Sequence, residues 1–308
     1  MRLLIVGAGS TGGYLGGRLI EAGRDVTFLV RAARAAQLRE QGLRIVSPHG
    51  DATLRPKVCT AADITEHYGA VLLTVKAFQL QAVFNDIAPA IGPETMILPV
   101  LNGMQHLEAL ARRFSTNNLI GCALKVATIL ENDGSIVQLN PLQDFAYGEL
   151  DGKTTARINA LDRFMQGASI GARLSPVIHR EMWEKWILLA GLGALTCLMR
   201  GTVGEIEATE GGTSFVMNLL AEIVAIVAAV GETPSTDFVK EAQQQLTRKG
   251  SPLASSMFRD LLSGRDVEVE QILGDLICRG EQVGLKAPLL SAAAVHLRVY
   301  RNKIAASR

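Results

Sequence analysis

Short apolar runs alternate with helical patterns through the first half of the chain. Runs such as VLLTV at residues 71–75 are apolar almost throughout, which is typical of strands covered on both faces in a parallel sheet. Several of these runs are separated by stretches with helical spacing of apolar positions. The pattern predicts a doubly wound α/β fold with strands at Arg2–Val6, Val26–Val30, Leu43–Ser47, Ala70–Val75, Met96–Leu101, Leu119–Leu124 and Ile136–Leu139.

Beyond Ser175 the pattern changes to long segments with helical periodicity. These segments are Val177–Met199, Gly212–Val230, Pro234–Lys249, Val267–Val283 and Ala287–Asn302. We therefore expect an all-α C-terminal domain after an α/β N-terminal domain. The boundary is predicted at Ser175-Pro176, which gives domains of residues 1–175 and 176–308, although the same turn chemistry fits an internal loop.

Composition restricts the kind of partner. The 308 residues suffice for two domains, and a hydrophobic content of 48% supports substantial cores. A formal net charge of +1 argues against a nucleic-acid partner, which would require a strongly basic surface. The expected partner is a small molecule.

The cysteines and the apolar segments indicate the compartment. Four widely separated cysteines fit neither a zinc site nor a disulfide framework, so we expect a reduced, cytoplasmic protein with all four buried: Cys59, Cys122, Cys197 and Cys278. A strand begins almost at the N-terminus, and we expect no targeting segment before it. Asn218 and Glu222 interrupt the apolar stretch 215–230, so no membrane-spanning helix is expected.

A glycine-rich turn follows the first strand and opens the first helix. Gly7 permits the tight turn, Gly9 lets the backbone approach a pyrophosphate, and Gly12 lets the helix pack on its strand. The N–H groups at the helix start face the negative charge. This strand, turn and helix predict a dinucleotide site formed by Gly7, Ala8, Gly9, Ser10, Thr11 and Gly12.

The end of the second strand indicates which dinucleotide binds. NAD-binding chains usually carry a carboxylate about 20 residues past the glycines. Here Val30 and Arg31 occupy that place, and Arg31 could hold a 2′-phosphate through charge-assisted hydrogen bonds. Arg34 is equally well explained as a solvated residue of the following helix. We therefore predict NADPH as the cofactor.

Two polar residues follow neighbouring predicted strands at their carboxyl ends. Lys76 comes after AVLLTV, and Asn102 comes after the strand that ends at Leu101. Ligands of open α/β sheets collect outside these ends, so both residues are predicted to face cofactor and substrate. The alternative is a solvated lysine and an ordinary Asn-Gly turn.

Five segments, in order over essentially the whole chain, form a more specific pattern: VGAGSTGGYLGGRL, TVKAFQ, LNGMQHLE, EMWEKW and SSMFRDLLSGRDVEVE. Together they resemble the ketopantoate reductase family, the NADPH-dependent 2-dehydropantoate 2-reductases. The resemblance implies an N-terminal Rossmann domain and a helical C-terminal domain that form a cleft in which the ketone is reduced. Such a reaction converts 2-dehydropantoate to pantoate.

The resemblance also implies roles for individual residues. By motif, Lys185 corresponds to the catalytic lysine and Glu268 to its acidic partner. Ser256 corresponds to a serine that binds the substrate carboxylate. Lys76 and Asn102 match the remaining positions near cofactor and substrate.

The chemistry of Lys185 is consistent with that role. Hydride addition to a carbonyl leaves negative charge on oxygen, and a lysine ammonium supplies both charge and proton. Burial between Trp183 and Trp186 would lower the pKa of Lys185, whereas a carboxylate such as Glu268 would keep it protonated. Without the resemblance, an exposed lysine on an amphipathic helix is the better explanation of this position.

Two positions depart from the family pattern and bear on the substrate. Leu189 and Gly193 stand where family members usually carry asparagines that hold the substrate hydroxyl. Leu189 donates no hydrogen bond and Gly193 is expected to leave space, so a bulkier or more apolar 2-oxo acid is the alternative substrate. Lys125, a charge in an apolar run, is predicted either to bind the substrate carboxylate or to point to solvent from an edge strand.

Other possibilities remain for function and assembly. The five histidines lack metal-ligand spacing, so no metal is expected. Apolar positions of the C-terminal half fit either a core or a subunit contact, which leaves a homodimer open. A protein that senses NADPH without turnover is the non-enzymatic alternative, against which the pair Lys185 and Glu268 argues.

Overall fold

The computed structural model describes residues 1–306, which divide into two compact units. Residues 1–101 and 106–179 form the first unit. Residues 102–105 and the chain from residue 180 onward form the second. The chain therefore passes into the second unit four residues beyond Ser175-Pro176, and the short segment 102–105 also belongs to that unit.

All strands of the described chain lie in the first unit. They are β1 (Arg2–Val6), β2 (Asp25–Leu29), β3 (Leu43–Val46), β4 (Ala52–Leu54), β5 (Lys57–Cys59), β6 (Ala70–Leu73), β7 (Met96–Pro99), β8 (Gly121–Leu130), β9 (Ile136–Gly148) and β10 (Ala172–Leu174). A parallel sheet with strand order β5-β2-β1-β6-β7 forms one half of this unit. Val6 pairs with Leu29 on one side and Leu73 on the other, which aligns the carboxyl ends of three strands.

The central strand β1 is buried on both faces, as the uninterrupted apolar runs predict. Leu3 and Ile5 pack into one core, and Leu4 and Val6 into another, because alternate side chains point to opposite faces. The prediction of a doubly wound α/β unit is confirmed.

A second sheet was not predicted. Its order is β10-β9-β3-β4, and β8 pairs antiparallel with β9. The runs predicted at Leu119–Leu124 and Ile136–Leu139 are the first parts of two much longer strands that form this hairpin.

Helices flank the sheets in the first unit and make up the second. They are α1 (Ser10–Glu21), α2 (Ala32–Gln41), α3 (Leu80–Ile87), α4 (Gln105–Phe114), α5 (Ala156–Met165), α6 (Ile178–Met199), α7 (Val203–Glu207), α8 (Gly212–Val230), α9 (Thr236–Leu246), α10 (Ser256–Leu262), α11 (Asp275–Gln282) and α12 (Pro288–Ala306). A π-helical stretch, Glu270–Gly274, leads directly into α11. The predicted helical C-terminal part is confirmed.

Carboxylates from neighbouring helices accept hydrogen bonds from backbone N–H groups at the start of two helices in the second unit. Glu222 on α8 accepts from the backbone N–H of Leu289 at 3.1 Å and of Leu290 at 3.0 Å. Glu184 on α6 accepts from the N–H of Ser235 at 2.8 Å. A negative charge at a helix start is stabilising, so these contacts fix where α12 and α9 begin.

Two observations refine the compositional predictions. Cys59, Cys122 and Cys197 are buried, but Cys278 is exposed, so the expectation of burial is wrong at that residue. By length and composition alone, α6 and α8 could cross a membrane, a criterion that buried core helices also meet. Within α6, 67% of the apolar window is buried.

Candidate functional site

The glycine turn between β1 and α1 requires glycine at two positions, one for its backbone conformation and one for lack of space. Gly7 has φ +97°, in the region that favours glycine. A Cβ at Gly12 would lie 2.2 Å from the Gly7 carbonyl oxygen and 2.2 Å from Thr74 Oγ1. The Thr74 hydroxyl donates to the Val6 carbonyl at 2.9 Å and approaches that of Gly7 at 3.2 Å. Thr74, the one polar residue in VLLTV, thus braces the turn, a role the sequence did not reveal.

Gly9 and the start of α1 fit a pyrophosphate. A Cβ at Gly9 would meet no atom within 4 Å among the described residues, so its Cα faces open space. Within the same part of the chain, no side chain caps α1, and its first turn carries no acidic residue. The leading N–H groups of a twelve-residue helix are therefore available to an anion. The residues present fit a dinucleotide.

The two candidate arginines have different surroundings. Arg31 is exposed at the start of α2. Arg34 is half-buried and donates through Nε to the Ala8 carbonyl at 3.2 Å and through Nη2 to the Gly134 carbonyl at 3.3 Å. Burial lowers the pKa of Arg34 from its ordinary value. Arg34 therefore supports the backbone of the glycine turn, which leaves Arg31 as the exposed cation at this strand end.

Lys76 and Asn102 follow adjacent parallel strands, as predicted. Lys76 is exposed and precedes a short 3₁₀ turn, Ala77–Gln79, which follows β6. Asn102 follows β7 but belongs to the second unit. Its side-chain amide donates to Glu268 Oε2 at 3.3 Å. The structure thus brings together Asn102 and Glu268, two predicted site residues separated by 166 positions in the chain.

Glu268 lies in a buried segment directly before the π-helical stretch. Its side chain is 6% exposed. Gly103, beside Asn102, has φ +76°, and a Cβ there would lie 2.2 Å from the Gln271 carbonyl oxygen. Only glycine permits this approach, so Gly103 allows the loop to carry the Asn102 amide to the Glu268 carboxylate.

Lys185 is half-buried on α6, in the same unit as Glu268. The flanking Trp183 and Trp186 are buried, with ring centroids 5.4 Å apart. The Trp186 indole Nε1–H donates to the Ile272 carbonyl at 2.9 Å. The helix that carries Lys185 is therefore bonded to the segment that begins with Glu268.

The two serines at the start of α10 have different environments. Ser256, the predicted carboxylate ligand, is exposed as the first residue of the helix. Ser255 is buried, accepts from the Phe258 N–H at 2.9 Å, and lies 2.9 Å from Thr196 Oγ1. Burial raises the pKa of the neighbouring Cys197 thiol to about 12, so Cys197 stays a neutral thiol.

The environment of Gly193 corrects one expectation. Gly193 does not leave space, because a Cβ there would lie 2.7 Å from the methyl carbon of Met257. The Met257 side chain, buried on α10, fills the place that a larger residue at position 193 would take. Leu189, one turn after Lys185, is half-buried. Leucine and methionine rather than amides therefore occupy this part of α6 and its neighbour.

Lys125 lies in β8, opposite Asp144 of β9. It is exposed, and its Nζ is 3.9 Å from Asp144 Oδ2. Arg173 also pairs with Asp144, at 2.6 Å. Lys125 thus belongs to a charged cluster on the second sheet with the half-buried Asp144 and Arg173, and its role toward a substrate carboxylate stays a prediction. No set of three or more His, Cys, Asp or Glu among residues 1–306 is grouped to hold a metal ion.

Two sequence models of one family match the chain in succession. The model described as "Ketopantoate reductase PanE/ApbA" matches residues 3–152, and the model of its C-terminal part matches residues 177–301. A protein of Bacillus subtilis (strain 168) named "Uncharacterized oxidoreductase YkpB" is 34% identical over 97% of this chain and 99% of its own length.

Solved structures share the whole fold. The 2-dehydropantoate 2-reductase of Geobacter metallireducens GS-15 covers 97% of this chain and 99% of its own, with TM-score 0.87 and 27% identity. The ternary structure of D-mandelate dehydrogenase with NADH and anilino(oxo)acetate covers 99% of both chains, with TM-score 0.87 and 20% identity. At that identity the second likeness concerns the fold alone.

Proposed function

Because the chain belongs to the ketopantoate reductase family of oxidoreductases, we propose that it reduces the C2 carbonyl of a small 2-oxo acid with NADPH. The leading substrate is 2-dehydropantoate, which would give pantoate, a precursor in pantothenate biosynthesis in the cytoplasm. The hydrogen bond from Asn102 to Glu268 carries this proposal. It unites two residues that the family motifs assign to one active site, although they lie far apart in the chain.

The glycine turn and Arg31 are proposed to hold the cofactor. The open face of Gly9 and the N–H groups of Ser10, Thr11 and Gly12 would receive the pyrophosphate. Arg31, exposed at the next strand end, would pair with the 2′-phosphate. NADPH, when bound, supplies hydride for the carbonyl carbon.

Lys185 is proposed as the general acid. Its ammonium would donate a proton to the carbonyl oxygen as negative charge develops there. Glu268, buried in the same unit, would favour the charged form of Lys185, and Asn102 would hold the Glu268 carboxylate. Lys76 would contact the cofactor, and Ser256, with Lys125 as a second candidate, would bind the substrate carboxylate.

A more apolar 2-oxo acid is the second candidate substrate. Leu189 and Met257 support it, because leucine has no hydrogen-bonding group and the methionine thioether is only a weak acceptor for the hydroxyl group that 2-dehydropantoate carries. A polar group without a partner is disfavoured by about 1–3 kcal/mol, enough to reorder two similar substrates.

A substrate panel tests the proposal. The purified protein would be given NADPH with 2-dehydropantoate, with 2-oxo acids bearing branched hydrocarbon or phenyl substituents, and with no acid, while absorbance at the nicotinamide band is followed. NADPH oxidation with 2-dehydropantoate supports the leading substrate, and oxidation with an apolar acid alone supports the second. Binding of NADPH without oxidation by any acid contradicts the enzymatic proposal and favours a nucleotide sensor.

A further inference from the structure

The indole of Trp186, on α6, bonds directly to the π-helical stretch. Trp186 is 1% exposed, and its N–H donates to the Ile272 carbonyl at 2.9 Å in a buried contact. This buried hydrogen bond ties the stretch to α6.

The backbone of Ile272 continues the connection to Glu268. The Ile272 N–H donates to the Glu268 carbonyl at 3.1 Å. Within the π-helical stretch, the Asp275 N–H donates to the Glu270 carbonyl, five residues earlier. This spacing defines the π-helical geometry. Trp186 thus holds the backbone of Glu268 through Ile272, while Asn102 holds its carboxylate at 3.3 Å.

Two further features support a fixed geometry here. π-helical turns are rare and frequently occur at functional sites, because the extra residue per turn redirects nearby side chains. Gly103 packs its Cα against the Gln271 carbonyl, in the middle of the stretch. The segment 268–272 is therefore held from α6 on one side and from the 102–103 loop on another.

We infer that Trp186 is a positioning residue that holds the Glu268 carboxylate in place for Lys185, its neighbour on α6. This inference rests on the proposed function, in which Glu268 keeps Lys185 protonated. In this role Trp186 acts through the backbone of Ile272. Its indole N–H, rather than its bulk, is the group required.

The matched control is Trp183. It is buried three residues earlier on α6, and its ring contacts Trp186 and packs against Gly231. The Arg279 guanidinium lies 5.9 Å from the Trp183 ring and 5.8 Å from the Trp186 ring, and Arg279 pairs with Asp275 at 3.1 Å. Replacing either indole with a phenyl ring therefore changes the aromatic contact to Arg279. Only the replacement at Trp186 also removes the hydrogen bond to the Ile272 carbonyl.

The test compares pH profiles of Trp186→Phe and Trp183→Phe. We expect Trp186→Phe to lower kcat about 10-fold or more and to move the basic limb of the profile about one pH unit lower, with KM for NADPH within about twofold of wild type. Trp183→Phe should keep the wild-type limb. If the basic limb of Trp186→Phe is unchanged, the inference is overturned. The proposed function still stands in that case, provided that the wild-type protein reduces a 2-oxo acid. A wild-type protein that reduces no 2-oxo acid overturns both.

A measurement on the wild-type protein decides the matter if Trp186→Phe does not fold. The chain has two tryptophans, so a ¹⁵N-labelled sample gives two indole signals, which Trp183→Phe assigns. We expect the Trp186 signal to shift with pH at the midpoint of the basic limb of kcat, and Glu268→Gln to abolish that shift. A Trp186 signal that does not change with pH overturns the inference.

Discussion

Lys185 is the residue on which the proposed chemistry depends. It is half-buried beside two buried indoles, on a helix bonded to the segment that begins with Glu268. A lysine in such surroundings can remain charged while it is partly shielded from water, which suits a general acid. Its neighbours therefore matter as much as its own ammonium group.

Lys185→Ala should lower kcat by about 10²- to 10⁴-fold, because it removes the proton donor for the developing oxyanion. NADPH affinity should change much less, since the glycine turn lies in the other unit. Steady-state kinetics and NADPH titration by fluorescence measure the two effects separately. Lys240→Ala, which removes an exposed lysine from α9, is the control and should retain wild-type kinetics. Equal losses of turnover and NADPH affinity in Lys185→Ala would contradict the assigned role.

Arg31 governs the choice of cofactor in the proposal. Arg31→Ala should lower the preference for NADPH over NADH by about 10- to 100-fold, because a charge-assisted hydrogen bond contributes about 1.5–3 kcal/mol. The ratio of kcat/KM values for the two cofactors measures the preference. Arg163→Ala, which removes an exposed arginine from α5, should leave the ratio unchanged. An unaltered ratio in Arg31→Ala would remove Arg31 from the cofactor site.

At the scale of elements, two glycines of the turn between β1 and α1, Gly9 and Gly12, have different roles. Gly12 is confined by Thr74 and the Gly7 carbonyl, whereas the Cα of Gly9 faces open space. Gly12 is therefore needed for the packing of the turn, and Gly9 leaves the space that we propose for the pyrophosphate.

Gly9→Ala should fold with wild-type stability but lose NADPH affinity, because its Cβ occupies the space proposed for the pyrophosphate. Gly12→Ala should lose affinity and also about 1–3 kcal/mol of unfolding free energy, because its Cβ would overlap the Gly7 carbonyl. Urea unfolding and NADPH titration of both variants provide the comparison. Wild-type affinity in Gly9→Ala would place the pyrophosphate elsewhere.

The junction between β9 and α5 contains a partly buried ion pair that gives a pH dependence. Glu149 accepts from Arg157 at 2.5 Å and from the Thr155 hydroxyl at 2.5 Å. Burial acts to raise the pKa of Glu149, but the hydrogen bonds and charge of Arg157, with the Thr155 bond, hold it below its usual value. The stabilisation is therefore complete above the unfolded-state pKa of about 4.3 and is lost as pH falls through the lower folded-state pKa.

Glu149→Gln should lower the unfolding free energy by about 1–3 kcal/mol near neutral pH, because a neutral amide replaces the carboxylate that accepts the hydrogen bonds of Arg157. The difference from wild type should shrink as pH falls below the usual pKa of glutamate, because Glu149 of the wild type is then protonated first in the unfolded chain, which favours unfolding. Urea midpoints across that pH range measure the difference. A difference of constant size would show that the charge of Glu149 contributes nothing.

Pattern alone predicts the long elements well and the short ones poorly. The predicted bounds of β1 and α8 agree with the structure at every residue. β4, β5 and β10 have three residues each, too few for an alternation to be recognised. Because β4 and β10 are two of the strands of the second sheet, that sheet was missed. β9 continues beyond Leu139 through Asn140 and Pro141, residues that normally end a strand.

The site was predictable only in part, for a similar reason. Gly7, Gly9 and Gly12 form a local motif, and the strand ends that precede Lys76 and Asn102 follow from the apolar runs. The bond from Asn102 to Glu268 depends on tertiary structure across the chain. Met257 filling the space at Gly193 and the π-helical stretch after Glu268 likewise arise from packing, which a one-dimensional pattern does not encode.

At the scale of the molecule, the two units have distinct parts in the proposed reaction. The first holds the nucleotide turn and Arg31, and the second holds Lys185, Glu268 and Asn102. Family models match both units, and relatives match the chain over nearly its full length. An enzyme that retains both parts is expected to turn over rather than only to sense NADPH.

Transfer of deuterium from labelled NADPH tests the central claim most directly. The protein would be incubated with 2-dehydropantoate or an apolar 2-oxo acid and NADPH labelled at either the 4-pro-R or the 4-pro-S position, and the product examined by NMR. The account predicts deuterium at C2 of the 2-hydroxy acid from one of the two labelled cofactors, with the rate of its appearance reduced at least about 100-fold in Lys185→Ala. NADPH oxidation that leaves no deuterium at C2 from either cofactor, or an unaltered rate in Lys185→Ala, would contradict it.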